Sequence, residues 1–166
     1  MSVAVRAAVP GDEGDILRMI RALADFEREP DAVVATETML TENLFGESAH
    51  VHAHIAEWDG RAVGLALWFL NYSTWTGRPG LYLEDLFVDP TTRKSGVAKA
   101  LMVALAEEAM ARGCARMDWA VLDWNTEAMK FYERIGAKRH EGWQPWRVEG
   151  EGIAKLALTG QPLTGK

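Results

Sequence analysis

Two consecutive carboxylates, Glu84 and Asp85, interrupt the otherwise apolar run LYLEDLFV between Leu81 and Val88. A carboxylate taken out of water is unfavourable unless it is paired or used in chemistry, so the pair is either a solvated strand edge or a place where protons and cations are handled. Neighbouring residues of a strand point to opposite faces, so only one of the two enters a given cleft unless a bulge intervenes. Further on, Arg93-Lys94-Ser95-Gly96-Val97-Ala98 sets basic residues and a glycine where a loop turns into a helix. There the unpaired backbone N–H groups and the helix dipole favour an anion such as a pyrophosphate; the plainer alternative is a basic loop before a surface helix. Asn125 and Tyr132 lie seven residues apart, two turns along one predicted helix and on the same face, so both can meet one ligand. The alternatives are a helix N-cap for Asn125 and packing beside Phe131 for Tyr132. A tyrosine phenol, with a reference pKa of about 10, is protonated at neutral pH and can act as a proton donor.

The elements that must position these groups are legible from periodicity and turn residues. Val3–Ala7 suggests a first strand. Pro10-Gly11-Asp12 then opens a helix with Ile16, Leu17, Ile20, Leu23 and Ala24 at helical spacing, stopped by Glu29-Pro30-Asp31. A shorter helix from about Thr36 to Leu44 precedes two strands, Val51 to Trp58 and Ala62 to Asn71, joined at Asp59-Gly60, a pair that tolerates positive φ. Leu81 to Val88 is the next strand, closed by Asp89-Pro90. The helix from about Ser95 to Arg112 shows Val97, Leu101, Ala104, Leu105 and Ala109 on one stripe and ends at Gly113. A strand Met117 to Leu122, a helix Asn125 to Ile135, and two strands around Lys138 to Trp143 and Gly152 to Leu158 complete the expectation. Strand, helix and strand from Leu81 to Leu122 form a crossover with parallel strands.

Composition narrows the classes of function. The 166 residues are 48% hydrophobic and 25% charged, within the range of one ordinary globular domain, and no linker, repeat or low-complexity block divides residues 1–166. A net charge of −6 and a pI near 5.2 argue against a nucleic-acid surface and favour a cationic partner. Cys114 is the single cysteine, which excludes an internal disulfide and fits a reducing compartment. With no leader pattern and no apolar stretch of spanning length, a cytoplasmic protein away from membranes is expected. His50, His52 and His54 alternate along a predicted strand; without cysteine or patterned carboxylate partners they read as a polar or satisfied sheet face, and no metal is expected.

The order of these pieces resembles the GCN5-related N-acetyltransferases (GNAT), whose motif R/Q-x-x-G-x-G/A is met by Arg93, Gly96 and Ala98. Within them the chain looks like the spermidine/spermine, or diamine, branch, which includes thialysine acetyltransferase-like enzymes. LYLEDLFV, Trp75 to Gly77 and NTEAMKFYERIGA carry that likeness. The resemblance implies an α/β GNAT fold with a mixed central sheet of about six or seven strands flanked by about four helices. In it a parallel strand pair splays at the acetyl-CoA site. It further implies acetyl-CoA as cosubstrate, with Arg93, Lys94, Ser95, Gly96, Val97 and Ala98 around the pyrophosphate. The backbone of Leu86, Phe87 and Val88 would lie along the pantetheine amides, with Asn125 near the thioester arm. Glu84 would help deprotonate the amine and Tyr132 would protonate the departing sulfur. Glu27, Trp75, Glu84 and Asp85 would hold a small cationic amine, and the chain would form a homodimer with amine sites near the subunit interface. The polyamine enzymes tend to carry an acid shortly before the tryptophan, where this chain has Asn71-Tyr72-Ser73-Thr74. The function implied first is acetyl transfer to a polyamine or diamine. Thialysine or a related amino acid is the alternative, and a non-catalytic acyl-CoA-binding protein is the alternative of a different class.

Overall fold

In the computed structural model, which describes residues 2–160, Asp59 and Gly60 both adopt left-handed backbone, φ 50° and 75°. That conformation matches the strand twist of a tight hairpin, and it joins β2 (His52–Trp58) to β3 (Arg61–Ser73). Around the hairpin a sheet of five strands runs in the order β1-β2-β3-β4-β5, with β1 (Val3–Ala7), β4 (Arg78–Val88) and β5 (Met117–Asp118) completing it. All neighbours are antiparallel except β4 and β5, which are parallel as the crossover requires. The sheet is therefore mixed, as expected, but has five strands rather than six or seven.

Alternation along β3 assigns a helix to each face. Leu65 belongs to a core cluster with Ile16, Leu17 and Met19 of α1 (Glu13–Phe26) and Leu40 of α2 (Glu37–Phe45). Its neighbour Gly64 points the other way, toward α3 (Val97–Ala111), so closely that a Cβ there would lie 2.8 Å from Val97 Cγ1 and 3.1 Å from Leu101 Cδ1. Glycine at 64 is what lets the first turns of α3 sit down on the sheet.

The chain divides into two compact units between Met129 and Lys130, a boundary that falls inside α4 (Thr126–Arg134). In the second unit the expected strands around Lys138 to Trp143 and Gly152 to Leu158 are not formed. Residues 138–148 carry no regular element, and Glu151–Thr159 is a helix, α5. The spacing explains the correction: Ile153 and Leu156 are three apart, Ala and Lys favour helix, Glu151 lies in the first turn, and Gly160 ends the helix in the left-handed region at φ 64°. Among the described residues there are five α-helices, against the expectation of about four. The strand expected over Met117 to Leu122 is likewise shorter, pairing only through Leu81↔Met117 and Tyr82↔Asp118.

Candidate active site

The pairing of β4 with β3 shifts register once. Leu83 lies opposite Trp68 and Asp85 opposite Leu67, so Glu84 is an extra residue with no partner. This β-bulge reverses the alternation of everything after it. Leu81 and Leu83, across from Leu70 and Trp68, face α3; Asp85 and Phe87, across from Leu67 and Leu65, face the α1 side. Tyr82, opposite Phe69, already faces the α1 side, and Glu84 shares its parity before the bulge. Both carboxylates thus stand on one face, the condition under which consecutive strand residues can serve one cleft.

Their environments differ. Glu84 is exposed, whereas Asp85 is half-buried and its carboxyl is pushed up to about 6, first by burial and then by repulsion from Glu84 and Glu27. Glu27, the C-cap of α1, is itself raised from its ordinary value by partial burial. Tyr82 stacks obliquely on Phe69 at 5.2 Å, and its phenol is raised by burial and by the nearby negative charges of Glu84 and Asp118. The sequence reading missed Tyr82 and Asp118, because only the register shows that they share this face. It also missed Asn71, whose Oδ1 is buried with no hydrogen-bond partner among the described residues and which pairs with Gly80 in register. A polar residue within the β3 run was the available signal.

Pairing of β4 with β5 stops at Tyr82↔Asp118, so Leu83 to Val88 continue without that neighbour. Leu86, Phe87 and Val88 pair with Ala66, Leu65 and Gly64 on one side, leaving the other edge of the backbone as the open side of a parted parallel pair. The bulge at Glu84 bends β4 just past the last pair, which is a physical reason for the parting.

Beyond β4, Arg93 to Ala98 form the loop-to-helix turn. Lys94 takes φ 66° and Gly96, the N-cap of α3, φ 89°, so the turn uses two left-handed residues of which only one is glycine. A Cβ at Gly96 would meet nothing within 4 Å, and no acidic residue lies in the first turn of α3. The N–H groups of that turn have no intrahelical acceptors, so open space, free donors and the positive end of a helix coincide, and these residues fit a pyrophosphate. Ser95 Oγ donates to the carbonyl of Thr92 and serves the loop. Arg93 lies over the ring of Phe26 at 5.2 Å; Phe26 in turn packs on Trp124 at 5.6 Å, with Arg28 over Trp124 at 4.6 Å.

Asn125 caps α4, its Oδ1 accepting from the N–H of Ala128 at 3.2 Å. In the second unit Tyr132 is half-buried, its ring 5.4 Å from that of Phe131, and burial pushes its phenol up to about 12, so it remains protonated across the neutral range. Trp75 is 86% exposed in the turn between β3 and β4, six residues of strand beyond Glu84, which is about 20 Å along β4.

The histidines are accounted for by packing. Trp68 Nε1 donates to His54 Nδ1 at 3.0 Å, His52 stacks on Trp68 at 4.4 Å, and Arg112 lies over the same indole at 5.1 Å while donating to Glu108. Burial lowers the pKa of both His52 and His54, which keeps them neutral. His50 lies outside the strand. Among the described residues no cluster of three or more His, Cys, Asp or Glu is placed to hold a metal, and no helix is long and apolar enough to cross a membrane.

Residues 17–137 match the Acetyltransferase (GNAT) family, from α1 through the end of α4. The chain belongs to this family. It is 41% identical to a thialysine N-epsilon-acetyltransferase of Sus scrofa, over 94% of this chain and 98% of that protein. A Vibrio cholerae integron cassette protein shares the fold at a TM-score of 0.74 with 30% identity, covering 96% of this chain and 99% of that one. AAC(6')-Iy, solved with a bisubstrate analogue, CoA-S-monomethyl-acetylneamine, shares the fold at 0.73 with 22% identity over 90% and 100%. This GNAT chain is an N-acetyltransferase, as expected, which sets aside the alternative of a non-catalytic binding protein. GNAT acetyltransferases use acetyl-CoA.

Proposed function

We propose that this protein transfers the acetyl group of acetyl-CoA to the side-chain amine of a short cationic amino acid of the thialysine type. The carrying observation is the bulge that sets Glu84 and Asp85 on one sheet face near Glu27, an anionic surface for a small ammonium substrate. The 41% identity to a thialysine enzyme over nearly the whole of both chains supports an amino acid above the polyamine expected first. The absence of an acid in Asn71 to Thr74 agrees, since a long polycation would use one more anionic contact.

When bound, acetyl-CoA supplies an activated acetyl group whose carbonyl carbon passes from sulfur to the amine nitrogen. The Arg93 to Ala98 turn and the first N–H groups of α3 hold the pyrophosphate, and Asn125 lies near the thioester arm. The unpaired backbone edge of Leu86, Phe87 and Val88 pairs with the pantetheine amides in strand fashion. An N–H at that strand end polarises the acetyl carbonyl. A free amine is almost wholly ammonium at neutral pH, so the strand carboxylates take its proton before attack, the role the resemblance gives Glu84. Tyr132, with its phenol protonated, returns a proton at the sulfur. In this reading residues 1–166 act as one domain, and the family match at residues 17–137 runs past the boundary at Met129 into the second unit. The lone Cys114 accords with a cytoplasmic enzyme. A homodimer completes the reading: Leu70, Tyr72 and Trp75 expose apolar surface along the β3–β4 arm, and Trp75 would then line the partner's amine site.

The test is release of coenzyme A thiol from acetyl-CoA across thialysine, lysine, ornithine, short diamines and spermidine. The highest kcat/KM for thialysine or lysine supports the proposal. Preference for spermidine or a diamine returns the substrate to the polyamine class with the same mechanism.

A further inference from the structure

We infer that Arg116 holds the α-carboxylate of the substrate and is the residue by which this enzyme tells an amino acid from a diamine or polyamine. This rests on the reading of the protein as an acetyltransferase of short cationic amino acids, and it concerns the end of the substrate away from the reacting amine.

Arg116 stands just before β5, and its backbone carbonyl accepts from the N–H of Leu81, which sets it level with Gly80 on β4. Gly80 leaves the strand surface open at that level: a Cβ there would lie 3.4 Å from Arg116 Cγ and against Asn71 Oδ1. The missing side chain lets the arginine lie across β4 instead of pointing away from it. Its far end is fixed from two sides. Nε lies 2.8 Å from Asp118 Oδ2, and Nη1 lies 3.5 Å from Oγ of buried Ser73. Asp118 is the register partner of Tyr82, while Ser73 and Asn71 lie opposite Arg78 and Gly80, which share the parity of Tyr82. The guanidinium is thus set on the sheet face that carries Tyr82, Glu84 and Asp85. Nη2 has no protein acceptor among the described residues, and the side chain is 44% exposed, so a ligand carboxylate can reach it.

Reach and charge select the ligand group. Gly80 and Glu84 are separated by about 13 Å along β4. An extended lysine or thialysine spans about 7 Å from its terminal nitrogen to its carboxylate, and a hydrogen bond of about 3 Å at each end brings it to that length. With its side-chain nitrogen at the carboxylate pair, such a substrate presents its own carboxylate to Arg116. A diamine or polyamine on the same line would set an ammonium against the guanidinium instead. Arg78, two residues further back with the same parity, repeats the positive charge. The strip along β4 therefore runs from anionic at Glu84 and Asp85 to cationic at Arg116 and Arg78, which complements a molecule with an ammonium at its reacting end and a carboxylate at the other. Asp118 holds the arginine in place for that contact.

The experiment measures kcat and KM for lysine, lysinamide and cadaverine, which share the same two amines and differ in carrying a carboxylate, an uncharged amide or neither. The wild type, Arg116→Gln and Arg116→Lys are compared, with melting curves to establish folding. In the wild type kcat/KM for lysine should exceed the other two by about tenfold or more, chiefly through KM. Arg116→Gln should lower kcat/KM for lysine by about 10- to 100-fold and raise it for cadaverine, since a repelling charge is gone. Arg116→Lys should keep part of the preference for lysine, because the charge stays while the planar fork is lost. In folded Arg116→Gln, an equal loss for every amine, or no loss for lysine, overturns the assignment and leaves the amino-acid reading intact. A wild type that prefers cadaverine to lysine overturns that reading, and this inference with it.

Discussion

Glu84 and Asp85, adjacent in the chain, stand on the same face of the sheet. The bulge that achieves this also turns Asp85 inward and leaves Glu84 in water. Function and stability therefore pull against each other at Asp85. Its raised carboxyl favours the fold fully below the unfolded pKa of about 3.8, and that contribution is lost as pH rises through about 6. Above that pH the wild type carries a buried negative charge that asparagine does not. Asp85→Asn is expected to raise stability at pH 7.5 by on the order of 1–2 kcal/mol, after discounting its solvent-facing part, while turnover falls. Urea unfolding at pH 4 and pH 7.5 checks this: equal effects at both pH values would show that the charge is not the cause.

His54 works in the opposite direction. Burial lowers its pKa, and its neutral Nδ1 accepts the Trp68 N–H, so its contribution is complete above the unfolded value of 6.5 and is lost as pH falls below it. In an Asp85→Asn background, which removes the opposing term, Tm should decline between pH 6.5 and 5, and less so with His54→Gln. A flat Tm over that window would remove His54 from the account.

Gly64 couples the core to the cofactor turn. Alanine there must displace Val97 or Leu101, so Gly64→Ala should destabilise by about 1–3 kcal/mol and weaken acetyl-CoA binding, because Val97 opens α3. Calorimetric titration of the folded variant with acetyl-CoA would detect the second effect; unchanged affinity would uncouple the helix seat from the cradle.

Lys94 and Gly96 give a contrast within one turn. Lys94 holds φ 66°, which glycine adopts without the strain a side chain incurs, so Lys94→Gly should hold or raise stability. Gly96→Ala, at φ 89°, should cost about 1–2 kcal/mol through backbone strain alone, since its Cβ would meet nothing. Melting temperatures of the two variants should move apart; a stable Gly96→Ala would mean that the cap relaxes.

Tyr132→Phe keeps the ring and removes the proton. Acetyl-CoA binding should persist while kcat falls about 100-fold or more, consistent with a phenol held at about 12 and hence protonated. Full turnover in this variant would remove Tyr132 as the acid.

The chemistry-bearing residue types were legible in the sequence because their local surroundings are one-dimensional. Gly96 after basic residues before an apolar stripe marks the start of a helix. Asp59-Gly60 between apolar runs marks a hairpin, and carboxylates inside LYLEDLFV mark a conflict that only pairing or function resolves. Local propensity also favoured helix over Glu151–Thr159, where Ile153 and Leu156 at helical spacing prevailed over the expected strand. What residues 84 and 85 do was not legible. Parity along a strand is fixed locally only until a bulge, and the bulge at Glu84 exists through its register with Trp68 and Leu67, which lie a hairpin away. Trp75 shows the reach of an extended strand: six residues, Arg78 to Glu84, span about 20 Å of β4 between its turn and the carboxylates. The sequence by itself determined the family, the glycine-containing basic turn before α3 and the carboxylate pair, since these depend on residue type and short spacing. Tertiary structure alone decided which carboxylate is buried, which faces water, and where β4 and β5 part, because burial and register are set by residues distant in the chain.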